Sequence, residues 1–217
     1  MVIYVGLSGT MLSGKGLIRE IIKKNFKTYD IGLSDMLREE ADRRGIEKTR
    51  DNLRDLADEL RLKNGPGILA ELAIKKLQSL GDKILDYEVV VIDSIRNPWE
   101  AEALRQTFKK YFYLIFVDAD VRIRYERALS RKREGEEVMD FESFKKRDHE
   151  EMAGREDRKI EDTESEHGGV IDYGVNLGAC LRKANVRLIN EGSREEIEEK
   201  VVSMIKKRME EVKKPIE

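Results

Sequence analysis

The residues Gly9-Thr10-Met11-Leu12-Ser13-Gly14-Lys15-Gly16 have the composition and spacing of a phosphate cradle. Glycines let the backbone curl so that successive N–H groups converge on one anion. Lys15 then supplies a point charge for the β and γ oxygens of a nucleoside triphosphate. The pattern is G-x-x-x-x-G-K, with Gly16 standing where a Ser or Thr would offer magnesium a hydroxyl. Holding the metal therefore falls to waters, helped by Asp93. That carboxylate ends the apolar run Val89-Val90-Val91-Ile92, which places it at the carboxyl edge of a sheet beside the loop. An ordinary glycine turn is the plain alternative for Gly9 to Gly16. The strand before it, the helix after it and the lysine in register favour phosphate.

Phosphoryl transfer asks for positioning and charge stabilisation more than for covalent chemistry. Arginine, with its planar fork, suits two phosphate oxygens better than lysine does. Arg124, Arg127 and Arg131 recur at three- and four-residue spacing, so a helix can present them on one face, whereas Arg122 and Arg133 fall on a solvated one. Arg50, Arg54 and Arg61 lie on an earlier helix, with acceptor contact and surface ion pairing both open for them. His149 and His167 read as surface residues, and Trp99 and the methionines as packing. Tyr173 and Asn176 sit where a nucleotide contact is open to them.

These groups need a scaffold, and the pattern supplies one. Strands are expected at Val2–Leu7, Thr28–Ile31, Glu88–Ile92, Tyr111–Val117 and Val186–Ile189. Between them, helices are expected at Lys15–Lys24, Ser34–Arg44, Thr49–Leu62, Pro66–Leu80, Pro98–Phe108, Val121–Arg133, Phe141–Met152 and Asp172–Lys183. Pro66 is expected near a first helical position. A final helix opens at Ser193 with the capping box Ser193-x-x-Glu196. The stretch Glu134–Gly169 is polar and acidic and reads as an excursion rather than a separate domain. Alternating strands and helices predict an α/β fold with a parallel sheet and ligands at the carboxyl ends of its strands.

Composition narrows the field. The chain has 217 residues, 42 Lys plus Arg against 44 Asp plus Glu, and a formal net charge of -2. That balance disfavours bulk nucleic-acid binding, which draws on a basic excess. With 40% charged residues, the surface resembles the ion-pair networks of thermophile proteins. No apolar stretch is long enough to span a bilayer, and the N-terminus enters a strand-like run with no cleavable signal pattern. The single cysteine, Cys180, excludes an internal disulfide framework. A cytoplasmic protein, monomer or homodimer, is expected.

The G-K-G ending of the loop is similar to that of adenylate kinase and related nucleoside monophosphate kinases. Asp35-Met36-Leu37-Arg38 resembles their acceptor-gripping segment, and Val91-Ile92-Asp93-Ser94-Ile95-Arg96 their strand with its following arginine. Arg127-x-x-x-Arg131 and Arg147-Asp148 look like lid elements, and Asn190-Glu191-Gly192-Ser193 like the adenine-side turn, which dephospho-CoA kinases share. The resemblance spans Val2 to about Ile205 and is strongest to archaeal kinases of this type. Leu12 replaces a loop glycine, Leu17 and Leu33 replace threonines, and Asp30-Ile31-Gly32 lacks the paired aspartates of dephospho-CoA kinases.

The resemblance implies a single three-layer α/β/α P-loop kinase domain over 1–217, with a five-stranded parallel sheet, an acceptor-binding helical region at about 33–80 and a lid at about 127–169. It implies ATP as donor with Mg2+, bound by Gly9, Thr10, Met11, Leu12, Ser13, Gly14, Lys15, Gly16 and Leu17 and by Asn190 and Gly192. Asp35, Arg38 and Arg96 would bind the acceptor. Lys15, Arg96, Arg127 and Arg131 would be catalytic, with Arg131 and Arg147 on the lid and Asp93 reaching the metal through water. A nucleoside monophosphate is the first acceptor expected and dephospho-CoA the next. A regulatory ATPase is a different class, as is a polynucleotide kinase, which the absence of an aromatic stacking platform disfavours.

Overall fold

A computed structural model of the chain describes residues 1–131, 139–154, 159–161 and 170–214; of 50, 159–161 and 170–172 only the backbone is described. Lys132, Arg133, His167 and, within the polar stretch expected between Glu134 and Gly169, residues 134–138, 155–158 and 162–169 lie outside the described residues. Five strands form one parallel sheet: β1 (Ile3–Gly9), β2 (Thr28–Gly32), β3 (Val89–Ile95), β4 (Phe112–Asp118) and β7 (Val186–Ile189), in the order β2-β3-β1-β4-β7. Two three-residue strands, β5 (Lys159–Glu161) and β6 (Val170–Asp172), pair antiparallel.

Successive side chains of a strand point to opposite faces, and both faces of this sheet are covered. Ile3, Val5 and Leu7 of β1, with Val89 and Val91 of β3, pack under α1 (Lys15–Asn25) and α9 (Arg194–Lys213), which contribute Ile18, Ile22, Ile197 and Val201. Val90 and Ile92 of β3 and Phe112, Leu114 and Phe116 of β4 face the other layer. That layer is built from α2 (Leu33–Arg43), α3 (Arg50–Asn64), α4 (Ile68–Gln78), α5 (Pro98–Phe108) and α8 (Leu177–Lys183). The remaining helices, α6 (Val121–Ser130) and α7 (Phe141–Ala153), follow β4 and reach over the carboxyl edge. This is the three-layer arrangement of P-loop kinases. Among the described residues no helix is long and apolar enough to cross a membrane.

Several boundaries differ from expectation for local reasons. β1 and β3 run on into polar residues because a register shift between Gly6 and Ser8 lets the Ser8 hydroxyl donate to the Ile95 carbonyl at 2.8 Å. The helix expected from Asp172 starts only at Leu177, where the Asn176 side chain accepts the Ala179 N–H; residues 170–172 are strand. α4 begins at Ile68, two residues beyond Pro66. α6 closes on Arg131 as its C-cap. Trp99 is not core packing: it is 45% exposed, near the start of α5. The expected capping box, Ser193 with Glu196 on α9, is in place, and a second, Asn97 with Glu100 on α5, was not expected.

Candidate functional site

The loop between β1 and α1 is held in a phosphate-ready shape by contacts behind it. Gly9 has φ +142, and a Cβ there would stand 2.0 Å from the Val117 carbonyl oxygen. Gly14 has φ +93, and a Cβ there would meet the Asn190 amide at 2.1 Å. Both positions therefore exclude any other residue. Leu12, in place of the family's glycine, takes φ 60, a left-handed strain of about 1–2 kcal/mol. Thr10 donates its hydroxyl to Asp118 at the end of β4 at 2.8 Å, and Arg187 of β7 closes on the other oxygen at 2.7 Å. Asn190 donates to the Ser13 carbonyl at 2.7 Å.

Lys15 sits at the mouth of this loop, its ammonium donating to the carbonyls of Gly9 at 2.7 Å and Thr10 at 2.9 Å. Its pKa is lowered from 10.5 to about 8, by desolvation first and then by the nearby Arg96, against the opposing pull of Asp93 and Glu151. A cation held this reluctantly is one that an arriving phosphate would stabilise.

The structure sorts the arginines. Arg127 reaches the loop from behind, donating to the carbonyls of Leu12 and Ser13 at 3.3 Å and of Asn190 at 2.7 Å. Arg124 is buried, forks onto Asp148 of α7 and donates to the Ala119 carbonyl at 2.8 Å. Asp148 thus pairs with Arg124 rather than with its neighbour Arg147, which instead lies 3.5 Å from Glu151. Arg131 is exposed at the end of α6, so of the three spaced arginines only Arg124 and Arg127 converge on the loop. Arg38 pairs with Asp35 one turn away at 3.1 Å, both half exposed. Arg54 pairs with Asp51 on the surface, whereas Arg61 is buried against Glu100. Asn176 and Tyr173 serve the scaffold, the first as a helix cap and the second buried, and Gly192 is exposed in the turn before α9. Burial lifts the Cys180 thiol to about 12, so it is inert.

Asp93 lies at the carboxyl edge of β3. Its Oδ1 accepts the Ser94 N–H at 2.6 Å, and its Oδ2 stands 3.9 Å from Arg19. Ser94 holds φ 69, an uncommon conformation for a non-glycine residue beside a site. Arg19 also donates to Asp30 at 2.6 Å, which raises its own pKa. Sequence reasoning passed over Arg19, yet it follows Lys15 by four residues, on the same face of α1. Among the described residues no group of three His, Cys, Asp or Glu side chains could hold a metal alone. The donor set fits a magnesium ion carried in by a nucleotide, held by phosphate oxygens and waters with Asp93 as the one carboxylate from the chain.

Two clefts flank α7. One, of about 410 Å³, is lined by Thr10, Asp118, Arg124, Asp148, Arg187 and Glu191 and opens beside the loop at the ends of β4 and β7. The other, of about 440 Å³, lies between α3 and α7 and is lined by Arg54, Asp58, Arg147, Glu151, Gly174 and Val175 among others. Glu151 faces the second cleft, 3.5 Å from Arg147 and 4.0 Å from Arg96, and its charge is felt at Lys15. Arg147 and Arg96 thus approach one carboxylate at the second cleft, and its charge also reaches Lys15.

Comparison with known proteins identifies the chain's family and supports its fold. A family model described as an AAA domain matches residues 5–166. A UPF0200 protein of Thermococcus gammatolerans is 30% identical over 209 residues, covering 95% of this chain and 94% of its own. The chain belongs to the UPF0200 family. A UPF0200/UPF0201 protein of Archaeoglobus fulgidus is 35% identical over 147 residues, 68% of this chain but only 44% of that longer protein. Among solved structures, the TT1252 protein of Thermus thermophilus superposes with a TM-score of 0.54 at 16% identity, covering 94% of this chain and 97% of its own. A shikimate kinase from Aquifex aeolicus superposes at 0.47, 16% identical, over 95% of this chain and 98% of its own.

In this UPF0200 chain the Glu151 carboxylate occupies the neighbourhood of Arg96 and Arg147 that an incoming anion is expected to seek. Replacing it by glutamine keeps the shape and removes the charge. Glu151→Gln is expected to tighten pyrophosphate binding several-fold, since a like charge within reach of an anion costs about 1 kcal/mol or more. Isothermal titration at low salt checks this; unchanged affinity would show that Glu151 lies off the anion path.

Proposed function

We propose that the chain is an ATP-dependent phosphotransferase, a single cytoplasmic P-loop kinase domain that moves the γ-phosphoryl group of ATP to a small nucleotide-type acceptor, most simply a nucleoside monophosphate. The observation that carries this reading is Glu151, which lines a second cleft with Arg147, lies 4.0 Å from Arg96 and acts electrostatically on Lys15 of the P-loop. A protein that only bound or hydrolysed ATP would have no use for the second cleft or for cations facing it.

In this mechanism the loop amides and Lys15 hold the donor phosphates. Asp93 would hold a water of a nucleotide-borne magnesium ion, which would supply charge neutralisation to the donor phosphates. Arg124 and Arg127 keep the loop rigid from behind, a positioning task, while Arg131 completes the charge shell from the lid over about 127–169. Asp35 and Arg38, on the helical region over about 33–80, bind the acceptor with Arg96, and Arg147 meets its phosphate from α7. Closure over both clefts excludes water and so suppresses idle hydrolysis.

The test is ADP release coupled to a reporter enzyme, with ATP and magnesium, across all ribo- and deoxynucleoside monophosphates and dephospho-CoA. A jump in rate with one acceptor is expected. A slow rate indifferent to all of them would overturn the transferase reading in favour of a regulatory ATPase. With the responsive acceptor in hand, Arg38→Ala should raise its KM about tenfold or more, the loss of one charge-assisted contact, while the Kd for ATP stays put. Equal losses on both substrates would remove Arg38 from the acceptor side.

A further inference from the structure

Glu100 is a fully buried carboxylate, 0% exposed, on the first turn of α5. A helix cap of this kind needs it to accept only the N–H of Asn97, which it does at 3.1 Å. It does more. The same oxygen accepts the backbone N–H of Arg96 at 2.9 Å, and its other oxygen accepts Nη2 of Arg61 at 2.8 Å. Arg61 comes from α3, is 5% exposed, and has Asp58 3.8 Å away on its own helix. The Arg96 carbonyl in turn accepts the N–H of Asn176 at 2.9 Å, and the Asn97 side chain donates to the Gly174 carbonyl at 2.6 Å.

The Arg96–Asn97 peptide is therefore strung between two walls of one cleft. Asp58 belongs to the α3 wall, and Gly174 to the wall that precedes α8. The Arg96 side chain, by contrast, is 45% exposed and lies 4.0 Å from Glu151. Its aim is set by its backbone. A buried ion pair is a poor stabiliser, because desolvation of both charges offsets their attraction, and an apolar pair of similar volume serves stability as well. Its retention at this place points to geometry.

We infer that Glu100 and Arg61 are positioning residues that register Arg96 against the acceptor cleft, with Arg61 acting through the Glu100 carboxylate on the Arg96 amide. This rests on reading the α3–α7 cleft as the acceptor site. A ligand that shifts α3 shifts Arg96 with it, so acceptor binding and the aim of the phosphate-facing guanidinium are one event. The ligand class follows: an acceptor carrying a phosphate or similar anion, gripped on α3 and met by Arg96.

The test separates geometry from stability. In Arg61→Met with Glu100→Gln, the amide oxygen still accepts both backbone N–H groups, and no unpaired charge stays buried. This double variant is expected to melt within a few degrees of wild type. It should nonetheless lose about 10- to 100-fold in kcat/KM for the acceptor, the loss a misplacement on the ångström scale produces, with the Kd for ATP unchanged. Arg61→Lys, which keeps the charge, should retain more acceptor activity than Arg61→Met. A double variant with wild-type acceptor kinetics, or one that loses ATP affinity equally, overturns the proposal.

If no acceptor in the panel supports turnover, the phosphotransferase reading fails and the relay is read from Trp99 instead. This is the chain's single tryptophan, and its backbone N–H donates to the Asn97 side-chain oxygen at 2.9 Å. Its emission should respond to inorganic phosphate in the wild type, with a Kd at least fivefold weaker in the double variant. An indifferent wild type, or equal constants, overturns the relay.

Discussion

Lys15→Ala is expected to reduce acceptor-dependent ADP release by at least about 10²–10³-fold, the scale on which removal of one preorganised charge stabiliser acts in a dry site. The fold should survive. Lys15 is held in its charged form against desolvation and against Arg96, with its pKa lowered to about 8, so its removal relieves a strained charge. The two carbonyls it now satisfies belong to the buried residues Gly9 and Thr10, so their lost partner should lower the melting temperature without abolishing the fold. Steady-state turnover together with a thermal melt checks both halves. Turnover within threefold of wild type would remove Lys15 from the site.

The lowered pKa gives this residue a pH signature with two opposed signs. In the ligand-free protein Lys15 loses its proton near pH 8, while in the unfolded chain it keeps it to about 10.5. Between those values the unfolded chain binds more protons, so this group makes the fold more stable as pH rises. Nucleotide phosphates favour the charged form, so binding takes up a proton in the same window and affinity falls as pH rises above about 8. Titrations of ATP from pH 7 to 10 should show the decline in wild type and a flat profile in Lys15→Ala. The opposed slopes are what a site organised for its ligand rather than for its own stability should give.

What was legible in the sequence was whatever depends on local pattern. The loop, its flanking strand and helix, the boundaries of α5 and the cap on α9 follow from spacing, β-branched runs and capping chemistry between near neighbours. The sheet follows from continuous apolar strands that only burial on both faces explains. Pairings across the chain were not legible. Nothing in the spacing says that Asp148 would take Arg124 rather than serve Arg147, or that Arg61, outwardly one of three helix arginines, would be sealed against Glu100 from another helix. Glu151 passed as one more acid in a polar stretch, because its meaning comes from cations 55 and 136 positions earlier in the sequence, at Arg96 and Lys15. In a chain with 40% charged residues, composition offers too many partners for each charge, and only the folded sheet edge selects among them.

Arg96→Ala should be the sharpest separation of acceptor chemistry from donor binding. The side chain is 45% exposed, and its ion pair to Glu151 is 4.0 Å long, so its loss should move the melting temperature by no more than a couple of degrees. The backbone that aims it stays tied by Glu100 and Asn176 whatever side chain is present. Transfer, however, should fall about 10²–10³-fold in kcat/KM for the acceptor, since a phosphate-facing guanidinium acts on the charge that develops as the bond forms. The same substitution removes a cation that lowers the Lys15 pKa, so the pH at which ATP affinity begins to fall should move upward. Glu151→Gln removes an anion that raises it and should move that pH downward. Opposite displacements in the two variants would place Arg96, Glu151 and Lys15 in one electrostatic cluster. Displacements of the same sign, or none in either variant, would mean that the three charges do not share a site and that the second cleft has no claim on the phosphoryl group.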